Sequence, residues 1–88
     1  MKVKYNFVIQ QVAGGFVAVA VGDDASKFNG LVRMNGTGAF ILDQLKDDLS
    51  IDELVRRLMN EYEVTEEDAL NAVRTYTNQL DRDGILIL

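Results

Sequence analysis

The side chains of this chain that can do chemistry are mostly carboxylates. It has fourteen Asp and Glu against nine Lys and Arg, with no histidine and no cysteine. Lack of histidine removes the group most often used to move protons near neutral pH and the commonest transition-metal ligand. Lack of cysteine removes thiolate nucleophiles, disulfides and thiolate metal sites. The acids fall in adjacent runs, Asp23-Asp24, Asp47-Asp48 and Glu66-Glu67-Asp68. A calcium loop needs carboxylates at spaced positions around a glycine, and none of these runs has that form. They read as solvated surface, where acids near helix N-termini also suit the helix dipole. Asn35-Gly36-Thr37-Gly38 has glycines like part of a phosphate loop, but the lysine and the remaining spacing are missing, so it reads as a strand-to-helix turn. The expectation is a binding domain, not an enzyme, with no metal and no cofactor.

A chain of 88 residues can close one hydrophobic core, so residues 1–88 are read as one domain. At 48% hydrophobic and 26% charged it belongs with folding sequences. A secreted domain this small usually needs disulfides, so their absence points to the cytoplasm. The N-terminal MKVKYNFVIQ is interrupted by Asn6 and Gln10 and matches neither a signal peptide nor a membrane span. A net charge of −5 argues against a nucleic-acid backbone as partner and suits a protein-binding module.

The elements that position these groups follow from spacing. Residues 3–12 alternate, with Val3, Tyr5, Phe7 and Ile9 on one face, as a half-buried strand does. Gly14-Gly15 turns the chain into a second strand over 16–21, and Leu31 to Met34 forms a third. From Thr37 the period becomes helical, capped by Asn35 or Thr37, with Ile41, Leu42 and Leu45 inward. Ser50-Ile51-Asp52-Glu53 is a capping box, and predicts a second helix burying Ile51, Leu54, Val55, Leu58 and Tyr62. Thr65 caps a third that carries Ala69, Val73, Tyr76 and Leu80 inward and stops at Gly84, where Ile85 folds back on Leu80 and the rest packs as an apolar tail. The predicted fold class is α+β, a winged helix-turn-helix-like βββααα order with a three-stranded antiparallel sheet.

Such a fold suggests a DNA-binding transcriptional regulator, whose third helix would enter a major groove. From Glu66 to Asp83 that helix carries five acids and only Arg74 and Arg82, the wrong sign for phosphates. The third strand leaves two readings open. Its edge is either blunted by Arg33, or it offers unpaired amides and carbonyls to another extended chain.

The order of elements, with Phe28-Asn29-Gly30, Leu31 to Ala39, Leu45, the Ser50 helix start, Tyr62, Val73, Tyr76, Leu80 and Gly84-Ile85-Leu86, resembles the PqqD-like family, also called RiPP recognition elements. The stretch FVAVAVGDDASKFNG has no close counterpart in the member that serves pyrroloquinoline quinone synthesis. The resemblance implies a non-catalytic domain that takes the leader segment of a ribosomally made precursor peptide and presents it to a modifying enzyme, often of the radical SAM type. It implies that the leader adds as a strand on Leu31, Val32, Arg33 and Met34, in a groove against the third helix. Since Val73, Tyr76 and Leu80 are assigned to the core, the helix positions expected to line that groove are Leu70, Arg74, Thr77 and Asn78.

Overall fold

Alternation of apolar and polar residues at the start of the chain does produce extended structure, but as two strands instead of one. The computed structural model describes all 88 residues and runs β1 (Lys2–Val3), β2 (Phe7–Val12), β3 (Gly15–Ala20), a 3-10 turn (Gly22–Ser26), β4 (Leu31–Met34), α1 (Gly36–Gln44), α2 (Ile51–Glu61), α3 (Glu66–Arg82) and β5 (Leu86–Ile87). The expected strand over 3–12 bends at Lys4 to Asn6. There the Lys4 amide donates to the Ile85 carbonyl and the Asn6 amide to the Asp24 carboxylate, each 2.8 Å away. The period-2 pattern continues through the bend because Tyr5 still packs inward, stacking on Phe28. The polar segment after β3 therefore supplies Phe28 to an aromatic cluster with Tyr5 and Phe7.

β2, β3 and β4 form an antiparallel sheet in that order, so β2 and β4 are both edges. The closing residues, expected as a packed tail, are instead partly a strand: β5 pairs antiparallel with β1, Lys2 opposite Ile87 and Val3 opposite Leu86. The three-stranded sheet followed by three helices is the βββααα order expected, with this small ribbon added. No helix is long and apolar enough to cross a membrane.

All three helices start where their caps dictate. Asn35, not Thr37, caps α1, its side chain accepting from the Gly38 amide. Ser50 and Glu53 complete the capping box of α2, and Thr65 accepts from Asp68 at α3. At the other end of α3, Gly84 takes a φ of 76°, which favours glycine, and the Ile85 amide reaches the Leu80 carbonyl at 3.1 Å. Ile41, Leu42, Leu45, Leu54, Leu58, Val73 and Ile85 meet as fully buried side chains at the centre of the core. Ile51 and Tyr62, expected in the buried stripe of α2, lie outside it with 38% and 39% exposure. They sit at the two ends of α2, Ile51 its first residue and Tyr62 its C-cap, and the Tyr62 ring instead meets Phe40 edge to face.

The Glu53 carboxyl is held below its usual range, first by the hydrogen bond from the Ser50 backbone amide and then by the Ser50 side chain. A carboxyl depressed on folding stabilises the fold above its unfolded pKa and loses that contribution as pH falls through the folded value. Glu53→Gln keeps an acceptor without the charge. In urea unfolding it should be less stable than the parent at pH 7, with the difference closing as pH falls below the carboxylate range.

Candidate functional site

Which backbone groups of an edge strand are free depends on the phase of the ladder beside it. The turn Ala13-Gly14 joins Val12 to Gly15 directly, so these two form the closing hydrogen-bonded pair of the β2–β3 hairpin. Six residues earlier the phase is the same, since the Val21 amide donates to the Asn6 carbonyl at 3.0 Å. Hydrogen-bonded pairs in this hairpin are therefore Gln10 with Val17 and Val8 with Val19, and the groups of Phe16 and Ala18 point the other way, to β4. Their partners there are Met34 and Val32. Leu31 and Arg33 consequently direct their amides and carbonyls away from the sheet, and no backbone hydrogen bond outside the sheet engages residues 31 to 34.

The side chains alternate across the same strand. Val32 is buried at 4% exposure and Met34 is half-buried on the helix side, whereas Leu31, at 50%, and Arg33 lie on the outer face. Register aligns this outer face in rows: Val8, Val19 and Leu31 in one, Gln10, Val17 and Arg33 in the next. Arg33 is the one charged residue of the three strands, and it makes no ion pair.

At the end of β4 the strand edge meets α3 through one corner. Asn35 uses the same oxygen twice, accepting from the Gly38 amide and from the Tyr76 hydroxyl. The Tyr76 ring crosses the first turn of α1 so closely that a Cβ on Gly38 would stand 2.6 Å from its Cε1 and 3.0 Å from Met34 Cβ. Glycine is required there by this contact and not by its backbone conformation. Tyr76 thus marks the side of α3 that meets Asn35 and the start of α1. At about 100° per residue, Ala72 and Gln79 share that side, both partly buried.

The four helix residues expected to line the groove are placed differently. Arg74 and Asn78 are two residues from Tyr76, hence about 200° around the helix, and are exposed. Leu70 is partly buried against the core from the opposite flank. Thr77 is 6% exposed, with its hydroxyl donating to the Arg74 carbonyl. Tyr76, with Ala72 and Gln79 on its side of α3, forms the flank next to Asn35 and the start of α1. Asn35 and Tyr76 were missed as a site pair because Tyr76 fits the inward stripe; the signal was its hydroxyl, which needs a partner when the ring is packed.

The class of fold is thus a three-stranded antiparallel sheet with β4 at a free edge, followed by three helices. The chain belongs to the family of coenzyme PQQ synthesis protein D (PqqD), whose model matches residues 9–86. Among solved structures, lasso peptide synthetase B1 complexed with the leader peptide has a TM-score of 0.68 at 22% identity, covering 99% of this chain and 96% of that one. TbiB1 in complex with the TbiA(beta) leader peptide has a TM-score of 0.71 at 17% identity, covering 98% and 94%. At these identities the likeness is one of fold. No curated protein sequence matches the chain.

The corner has a direct test. Gly38→Ala should gain helix propensity but lose more to the clash, for a net destabilisation of about 1–3 kcal/mol in urea unfolding. In a Tyr76→Ala background most of that loss should disappear, leaving only the Met34 contact. An equal loss in both backgrounds would place the constraint elsewhere.

Proposed function

We propose that this chain is a single non-catalytic domain of the cytoplasm that captures the leader segment of a ribosomally made precursor peptide by strand addition on β4 and presents it to a modifying enzyme. The observation that carries this reading is the free edge of β4, where Leu31 and Arg33 each offer an amide and a carbonyl. Main-chain bonding of this kind gives affinity whatever the side chains, and alternate pockets give selectivity. Family membership supports it, as does the fold shared with two proteins solved with leader peptides. In the proposed complex the leader lies along Leu31, Val32, Arg33 and Met34, with Ala72, Tyr76 and Gln79 as the opposing wall.

The DNA-binding alternative is disfavoured by the exposed side of α3. Glu66, Glu67, Asp68, Asp81 and Asp83 all face solvent, with Arg74 and Arg82 as its cations, and a phosphate backbone would meet net negative charge.

The ladder phase separates docking from folding. Leu31→Pro deletes an outward amide at the first residue of an edge strand, a position that tolerates proline. Titrated with a leader peptide that binds the parent chain, it should stay folded and bind about five- to tenfold more weakly, the worth of one hydrogen bond. Val32→Pro deletes an amide bonded to β3 and should damage the sheet itself. Unchanged affinity for Leu31→Pro, or amide shifts confined to α2, would overturn β4 as the docking edge.

A further inference from the structure

Charge is distributed unevenly between the two layers. The acids at Asp23 and Asp24 leave twelve of the fourteen from Asp43 onward, in or beside the helices, whereas β1 to β4 contain none. The three-stranded sheet has one charge, Arg33, exposed and without an ion-pair partner although the chain is acidic. Beside it, two positions along the same edge, Leu31 ends an apolar row that runs across all three strands from Val8 through Val19. Both rows stop at the edge where a further strand would continue them.

A strand joining β4 antiparallel would form hydrogen-bonded pairs with Arg33 and Leu31, the two residues whose backbone groups point outward. Its residues opposite them then present side chains on the outer face, about 5.5 Å away between Cα atoms. A carboxylate opposite Arg33 completes a charge-assisted pair, and an apolar side chain opposite Leu31 extends the valine row. The intervening residue, opposite Val32, and the one opposite Met34 turn to the helix side, where Met34 and the Tyr76 ring form an apolar surface.

Taking β4 as the docking edge, we infer that the peptide it selects reads, from N- to C-terminus, apolar, Asp or Glu, apolar, apolar, set opposite Met34, Arg33, Val32 and Leu31. The acid requirement is confined to one position. A peptide rich in acids elsewhere is repelled by the net charge of −5.

The test uses the intact chain and a displayed library of random dodecapeptides. Selected peptides should share the four-residue pattern and shift the amides of Leu31 to Met34. Replacing the consensus acid by Lys in a synthetic peptide should weaken binding about five- to tenfold on the parent. On Arg33→Glu, which lies on an exposed edge, the preference should reverse. Selected peptides that shift those amides but show no acid at that position, or an acid preference that Arg33→Glu leaves intact, overturn this inference and leave the docking edge standing. Peptides that bind without moving residues 31 to 34, or a library that yields no binder, overturn both.

Discussion

A two-residue turn governs what the rest of this molecule can offer to another chain. Because Ala13-Gly14 joins β2 to β3 directly, every backbone group of β3 is assigned to one neighbour or the other. β4 inherits the complementary assignment, with Val32 and Met34 bonded inward and Leu31 and Arg33 left over. A register slip of one residue would turn each side chain to the opposite face, and burial of Ala18, Ala20 and Val32 against the helices holds the register in place. The helices in turn determine which face of the sheet is covered.

The same strand is tied to the helical layer at a single polar corner. Asn35 ends β4, caps α1 and receives the Tyr76 hydroxyl, so one carboxamide oxygen couples strand edge, helix start and α3. Gly38 permits the coupling by leaving room for the ring. Below the corner, α1 contributes Ile41, Leu42 and Leu45 to the core that α2 and α3 also fill. β4 and α3 are therefore positioned by packing shared with the whole domain and not by a loop.

What could be read from the sequence was local. Ser50 with Glu53, Thr65 with Asp68, and Gly84 before Ile85 are signals complete within a few residues, and each helix end falls where they place it. The strand Leu31 to Met34 was also readable, bounded by glycine and Asn35. The bend at Lys4 to Asn6 was not, because its cause lies at Asp24 and Ile85, far along the chain, while the local alternation continues unbroken. β5 was missed for the same reason, since its partner is at the opposite end of the sequence. An amphipathic helix has two flanks beside its buried stripe, and periodicity alone does not say what each one meets; the Tyr76 flank meets Asn35 and the start of α1, whereas Arg74 is exposed.

The β1–β5 ribbon places Lys2 opposite Ile87. Polypeptide attached before residue 1 and polypeptide attached after residue 88 would thus begin side by side. The first and last strands lock each other in place about 5 Å apart, so that fraying at either end of the chain would release the other.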